Sequence, residues 1–278
     1  MRREVVEDHF DQDQAGELAL LVVSGSQAYG LAHEGSDLDL RGVYVAPTND
    51  FLRLGTPREQ VVIHDPDATV FELRKFCRLA AAGNPNILEM LFTPSENIVA
   101  ASAVWAQVLE VRSAFLSRRV YDAFLSYARS QWHDAKRLME GGEAVHRWKD
   151  RTRRKHLGHV FRVLDEGATL LKTGEMQVRV RDVEGLRALT QRPLEELTEM
   201  IKERHRALEA IPCPFEEEAN WEVIDSLLVS VRVEMLERER RQGPQSWNLA
   251  TIDYEGAGWP RPTVKDVGSA LSLDEGIS

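Results

Sequence analysis

Short apolar runs separated by turn residues dominate the first third of the chain. Four to eight continuous or alternating apolar positions bounded by Gly, Pro, Asn or Asp are typical of strands. The predicted strands are 18–23, 36–45 and 59–64. From Thr69 the apolar positions recur at helical spacing, and Thr69 and Glu72 match a capping box, so a helix is predicted there. A second helix is predicted over 86–92, after a Gly-Asn-Pro stop.

Helical spacing of apolar residues then continues almost to the end of the chain. The predicted helices are 98–111, 117–139, 151–173, 193–210 and 219–241. Residues 243–278 are rich in glycine, proline, serine and acidic residues, a composition typical of a flexible tail. The pattern therefore predicts an α+β (α/β) protein. Its parts are a small mixed-sheet domain over 1–95, a helical domain over 96–242, and the tail.

Two motifs in the first strand–turn–strand unit carry the chemistry. The apolar run 18–23 leads into a Ser-Gly-Ser turn that contains Gly25 and Ser26, and Asp37 and Asp39 follow. On a strand these two aspartates face the same way, roughly 6–7 Å apart, where hard cations such as Mg²⁺ prefer to bind. Gly25 allows a phosphate to approach the backbone, and Ser26 offers a hydroxyl. The combination predicts phosphoryl or nucleotidyl transfer from an NTP, although an isolated Asp-x-Asp is usually only an exposed acidic face.

Three polar residues near this unit are candidate binding residues, and two of them also have a purely structural interpretation. Arg41 shares the predicted face of the aspartates, where it either contacts a triphosphate or forms an ion pair that balances the acidic face. Asn84 either caps the helix that follows it or helps to hold a substrate at that helix start. Glu89, in the same helix, is a candidate substrate-binding residue of the same kind.

Three stretches of the chain resemble a known family. They are SGSQAYGLAHEGSDLDLRGVYV from residue 24, LRKF…GNPNILEMLF from residue 73, and KHLGHVFR…LLKTGE from residue 155. The first resembles the signature of the DNA polymerase β-type nucleotidyltransferase superfamily. All three together resemble, more narrowly, the RlaP-type predicted nucleotidyltransferases, a group linked by name to RNA repair.

The resemblance assigns roles to the residues of the first motif. It implies that Gly25 and Ser26 hold the NTP phosphates. It also implies that Asp37 and Asp39 bind Mg²⁺, or Mn²⁺ in its place. ATP is the expected nucleotide.

The resemblance also implies a third carboxylate on the next strand, which binds metal and activates the attacking hydroxyl. Asp65, Asp67 and Glu72 compete for this role. The family's spacing to the Leu-Arg-Lys-Phe stretch favours Asp67, which is otherwise explained as a turn or helix cap. Glu72 already has an explanation in the capping box.

A basic stretch, 146–162, reverses the sign of an otherwise acidic chain. On a helix, Lys155, His159 and Arg162 share one face. Because a helical domain closes over the nucleotide in enzymes of this superfamily, the resemblance implies that this face meets the triphosphate or an RNA end. The alternatives are an ordinary solvated face for 147–154 and a packed side chain for His159.

Composition restricts the remaining choices. The chain has 278 residues, a net charge of −10, a pI of about 5.4 and two cysteines. Acidity disfavours a protein that binds duplex nucleic acid mainly by charge, and two isolated cysteines disfavour a disulfide framework or a zinc site. With no signal-peptide pattern and no bilayer-length apolar run, a cytoplasmic protein without membrane contact is expected.

The predicted activity is Mg²⁺-dependent transfer of an NMP from an NTP to a hydroxyl, with an RNA 3′ end as the candidate acceptor and pyrophosphate released. One alternative is a protein or small-molecule acceptor. The other is a catalytically inactive nucleotide-binding regulator, which the intact Gly25-Ser26 and Asp37/Asp39 motifs disfavour.

Overall fold

The computed structural model describes residues 16–65, 67–139 and 147–241. Within these ranges a five-stranded sheet is followed by a mostly helical region. The strands are β1 (Glu17–Ser24), β2 (Asp39–Val45), β3 (Gln60–His64), β4 (Asp67–Glu72) and β5 (Ile98–Ala101). The helices are α1 (Gly25–Ala28), α2 (Thr48–Leu52), α3 (Leu73–Ala81), α4 (Pro85–Leu91), α5 (Ala103–Glu110), α6 (Arg118–Met139), α7 (Arg147–Thr173), α8 (Val183–Leu189), α9 (Leu194–Glu209) and α10 (Trp221–Arg241). The predicted tail, 243–278, and His146 of the basic stretch lie outside the described residues.

The sheet brings one end of three strands to a common edge. Its order is β3-β4-β2-β1-β5, and all neighbours pair antiparallel except β2 and β4, which are parallel. Ser24, the last residue of β1, pairs with Asp39, the first residue of β2, and Asp39 pairs with Asp67, the first residue of β4. The turn after β1 therefore lies beside the first residues of the two parallel strands.

The two faces of the sheet are covered unequally. Successive side chains on a strand point to opposite faces, so Leu40 and Tyr44 join a small apolar cluster on one face while Val43 joins the main core on the other. The main core is continuous from the sheet through the helices, and it includes Phe76 of α3 and Phe161 of α7. The helices are thus fixed to the sheet by shared apolar packing.

The prediction of a helix from Thr69 is wrong for its first four residues. Residues 67–72 form β4, and α3 begins only at Leu73. Thr69 pairs with Arg41 of β2, and Glu72 is itself the N-cap residue, its carboxylate accepting a hydrogen bond from the Arg74 backbone N–H at 2.6 Å. The spacing of the apolar residues here is compatible with both a helix and a strand. The segment forms a strand because it pairs with β2 on one side and β3 on the other.

A second difference concerns the segment after residue 95. The predicted helix 98–111 is divided into β5, which pairs with β1, and α5. The sheet consequently takes in residues that the sequence-based division assigns to the helical domain. The structure also contains two short helices that were not predicted from the sequence, α2 and α8.

The other helical predictions are confirmed. Helices predicted over 86–92, 117–139, 151–173, 193–210 and 219–241 correspond to α4, α6, α7, α9 and α10. The α+β fold class is confirmed as well. Among the described helices, none combines the length and apolar character needed to cross a membrane.

The last described helix, α10, returns to the sheet. Arg232 of α10 donates a hydrogen bond to the Ala46 carbonyl at 2.6 Å and lies over the Phe51 ring, 4.0 Å from its centroid. Glu239 accepts a hydrogen bond from the Thr48 backbone N–H at 2.9 Å. One side of α10 is therefore attached to α2 and the end of β2.

Candidate active site

The end of β1 and the starts of β2 and β4 gather the predicted catalytic residues. Asp39 and Asp67 are Cα partners on the parallel strands, and Asp37 lies two residues before Asp39, the first residue of β2. Asp39 is half-buried, whereas Asp37 and Asp67 are exposed. Three carboxylates from two chain segments thus share one edge of the sheet.

Of the three candidates for the third carboxylate, only Asp67 lies opposite Asp39. Asp65 is exposed in the turn before β4. Glu72 is buried at the far end of β4, where it pairs with Tyr44 and caps α3. The register of β4 therefore brings Asp67 to the predicted site and carries Glu72 away from it.

Gly25 brings the backbone against the Asp39 carboxylate. Its φ is +64°, and a Cβ on this residue would lie 2.1 Å from Asp39 Oδ2. Ser24 Oγ donates to the Asp39 carbonyl at 3.3 Å, which ties the turn to β2. Ser26 is half-buried, and its hydroxyl forms no hydrogen bond with the described residues. The turn is consequently open to a ligand at Ser26 and closed to any side chain at Gly25.

Charges from both parts of the chain converge on Asp39. Burial raises the pKa of Asp39, and the negative charges of Asp67 and Asp37 raise it further. Lys155 of α7 and Arg41 lower the pKa of the same carboxyl. Lys155 is exposed and forms no hydrogen bond or ion pair with the described residues. All four groups are therefore within electrostatic reach of Asp39, and the ammonium of Lys155 remains available.

Arg41 and Asn84 are engaged with the chain itself. Arg41 Nη1 donates to the Asn86 carbonyl of α4 at 2.9 Å. Asn84 is the N-cap residue of α4, and its Oδ1 accepts from the Asn86 backbone N–H at 3.1 Å. These contacts hold the start of α4 beside β2, as expected for a capping residue.

Arg162 and Glu89, both predicted to contact nucleotide or substrate, are instead enclosed with each other. Arg162 is 4% exposed, Glu89 5% and Glu166 3%. Arg162 Nη1 donates to Glu89 Oε1 and, at 2.6 Å, to Glu166 Oε1. In this arrangement the guanidinium faces carboxylates and not a phosphate site.

Tyr29, which directly follows α1 and lies four residues after Gly25, completes this buried network. Its hydroxyl donates to Glu89 Oε2 at 2.8 Å, and the Arg162 guanidinium lies over its ring, 3.8 Å from the centroid. Burial alone would lower the pKa of Arg162, but the two carboxylates raise it well above its usual value, so Arg162 stays charged. Burial raises the pKa of Glu166 well above its usual value. The network links the turn after β1 to α4 and α7.

His159 lies beside this network and is neutral. Burial, together with the charges of Arg162 and Lys155, lowers its pKa to about 3. Its Nδ1 is 3.3 Å from Arg162 Nη2 and therefore accepts the hydrogen bond, and its ring meets Tyr29 edge-on with centroids 6.2 Å apart. Burial, reinforced by the neighbouring arginine, explains why His159 is uncharged at neutral pH.

Glu166 was not identified from the sequence as a member of this network. Its position four residues after Arg162 on a helix was the available signal, because such pairs are adjacent on the helix surface. That spacing alone does not reveal that the pair is buried.

A family model described as "RlaP: RNA repair pathway DNA polymerase beta family" matches residues 3–248. The chain belongs to this family. It is therefore a member of the DNA polymerase β-type nucleotidyltransferases, as the first motif predicted. The match covers the sheet edge, the buried network and α10.

Two curated relatives are similar over part of the chain. An uncharacterized 38.9 kDa protein of the nrdC–mobD intergenic region of Enterobacteria phage T4 is 31% identical over 120 residues, which are 38% of this chain and 35% of that protein. The uncharacterized protein YcgL of Bacillus subtilis is 31% identical over 96 residues, 33% of this chain and 37% of YcgL. The chain spans about a third of the length of these relatives.

Among solved structures, a nucleotidyltransferase-like protein from Exiguobacterium sibiricum aligns with 98% of this RlaP-family chain and 90% of its own. The sequence identity is 13% and the TM-score 0.28, so this likeness adds nothing to the assignment.

Replacing Gly25 tests the contact between the turn and Asp39. We expect Gly25→Ala to lower the free energy of unfolding by more than the roughly 1–2 kcal/mol cost of a positive φ, because its Cβ also displaces the carboxylate. Gly35→Ala is the matched control, since Gly35 has φ +81° and open space around its Cβ position. Urea unfolding compares the two. Equal losses would contradict the close approach of Gly25 to Asp39.

Removing Arg162 tests the buried network. We expect Arg162→Met to lower the free energy of unfolding by about 3–5 kcal/mol at pH 7, because two buried carboxylates lose their counter-ion. The loss should shrink near pH 4, since the Glu166 carboxyl, whose pKa burial raises in the folded state, destabilises the fold only when it must ionise.

Arg192→Met is the control for this test, because Arg192 forms an (i, i+4) pair with Glu196 in which both side chains are half exposed. The control should lose less than about 1 kcal/mol. Similar losses for the buried and exposed pairs would show that the network does not hold the helices to the sheet.

Proposed function

We propose that this protein is a divalent-metal-dependent nucleotidyltransferase that moves an NMP from an NTP to a hydroxyl acceptor and releases pyrophosphate. ATP is the proposed nucleotide. An RNA 3′ end is the proposed acceptor, in keeping with the RNA-repair description of the family.

The observation that carries this proposal is the pairing of Asp39 with Asp67. Parallel strands in register bring two carboxylates from distant parts of the sequence to one edge of the sheet. Burial raises the pKa of Asp39 and the negative charge of Asp67 raises it further, so ionising both carboxyls is unfavourable unless a cation or another compensating charge is nearby. An arrangement that costs stability without a ligand is typical of a functional site.

The donor chemistry fits Mg²⁺ or Mn²⁺. Asp37, Asp39 and Asp67 supply only oxygen ligands, which hard divalent cations prefer. Within the described part of the chain no group of three or more His, Cys, Asp or Glu side chains is placed so that it could hold a metal ion by itself. The three carboxylates match the ion in donor type alone, and NTP phosphates would supply the remaining ligands. When bound, the cation would stabilise charge on the phosphate oxygens.

The surroundings of the carboxylates fit a triphosphate. Gly25 lets the backbone of the turn lie directly against the Asp39 carboxylate, and the Ser26 hydroxyl is unengaged within the described structure. Lys155 presents a positive charge across the site from a helix of the second half of the chain. We assign phosphate binding to Gly25, Ser26 and Lys155, and we assign Arg162 and His159 to the support of the turn that carries Gly25 and Ser26.

The proposed reaction is a single displacement at the α-phosphorus of the NTP. The acceptor hydroxyl oxygen forms a bond to the α-phosphorus as the bond to the pyrophosphate oxygen breaks. The hydroxyl proton passes to Asp67, whose exposed carboxylate is the proposed general base. No histidine is needed as base, and neutral His159 is hydrogen-bonded within the protein.

Transfer of label from α-³²P-ATP to an RNA with a free 3′-hydroxyl tests this function. We expect Mg²⁺-dependent labelling by the wild type and a loss of roughly 10²–10⁴-fold in Asp39→Asn and Asp67→Asn. Asp65→Asn is the matched control, because Asp65 is an exposed aspartate two residues before Asp67, and it should retain activity.

An RNA with a blocked 3′ end should not be labelled. Labelling of a protein or a small molecule in place of RNA would show that RNA is not the acceptor, while it would support the proposed nucleotidyl transfer. Metal-dependent ATP binding without transfer to any acceptor would support a nucleotide-binding regulator. If Asp39→Asn transfers label as well as the wild type, the catalytic proposal fails.

A further inference from the structure

Helix α10 carries an apolar stripe on its outer side. Its central residues, Val229, Val233 and Leu236, are 63%, 49% and 40% exposed. They belong to a longer series at alternating four- and three-residue spacing, which is 222, 226, 229, 233, 236 and 240. An average spacing of 3.5 residues is typical of a coiled-coil seam, because it keeps one line of side chains facing a partner helix.

This stripe is distinct from the side of α10 that packs on the protein. The inner side is formed by Ile224, Leu227, Val231 and Met235, all of them buried. A surface helix with one buried side normally presents polar residues on the other. Three large aliphatic residues in a row at seam spacing are therefore unusual for a face that contacts only water.

The two ends of the stripe carry opposite charges. Glu222 begins it and Arg240 ends it, and neither forms an ion pair with the described residues. If two copies of α10 paired in parallel, Glu222 would meet Glu222 and Arg240 would meet Arg240. In antiparallel pairing each glutamate meets an arginine, so charge complementarity favours the antiparallel arrangement.

We propose that α10 forms an antiparallel coiled coil with α10 of a second copy of this chain, related by a two-fold axis. In the two central layers, Val229 contacts Val233 of the second copy and Val233 contacts Val229 of the second copy. The next layers join Ser226 to Leu236, and the outermost layers join Glu222 to Arg240. The same stripe serves both copies, as an isologous interface requires.

The positions beside the stripe do not obstruct this pairing. Arg232 is held on its own chain by the Ala46 carbonyl and the Phe51 ring. Glu239 accepts a hydrogen bond from the Thr48 backbone N–H. Both side chains are thereby drawn toward the sheet, which leaves the seam residues to form the contact.

Sedimentation equilibrium of the full chain tests the interface. The wild type should be a dimer that dissociates on dilution, and Val233→Glu should be a monomer with unchanged circular dichroism. Val62→Glu is the matched control, because Val62 is a valine of similar exposure, 45%, on β3, and it should remain dimeric. A monomeric wild type, or a dimeric Val233→Glu, would overturn the proposal.

Charge reversal tests the direction of the helices. Glu222→Arg should weaken the dimer because it places two arginines in one layer, and the double variant Glu222→Arg/Arg240→Glu should restore it. A parallel coil would tolerate the single reversal, since like charges already meet there. A dimer whose dissociation constant is the same in the wild type and in both variants would overturn the antiparallel arrangement.

Discussion

The parallel, in-register pairing of β2 and β4 is the constraint on which the site depends. It brings Asp39 and Asp67 together at the point where β1 ends. Gly25, with φ +64°, then brings the backbone so close to Asp39 that no side chain fits between them. Negative charge is thus concentrated beside a backbone turn, and the resulting repulsion is the feature that a metal–nucleotide ligand would relieve.

A buried charge network connects this edge to the helices. Arg162 of α7 meets Glu89 of α4 and the ring of Tyr29, which lies just after the Gly25 turn. Burying such charges is costly, and well-packed apolar residues in their place would often stabilise a fold at least equally. What the network adds is a fixed position for α7, whose exposed Lys155 acts on Asp39 from the same helix.

The sequence was informative where local pattern decides structure and less so where distant pairing does. Alternation placed Leu40 in the core and Asp39 on the opposite face, as observed. The spacing of Val70 and its neighbours is compatible with both a helix and a strand, and they form a strand because they pair with β2 and β3. Helical spacing predicted that Lys155 and Arg162 share one face of α7. It could not predict that Arg162 is buried in an ion pair with Glu89, because Glu89 lies on a different helix.

The pKa of the Asp39 carboxyl, followed by ¹³C NMR, tests most directly whether these groups share one site. Asp67→Asn should lower this pKa, because a neighbouring negative charge is removed. Lys155→Ala should raise it, because a compensating positive charge is lost. Shifts of opposite sign are the predicted result. An Asp39 pKa that neither substitution changes would mean that the strand pairing and the α7 helix do not form a common site.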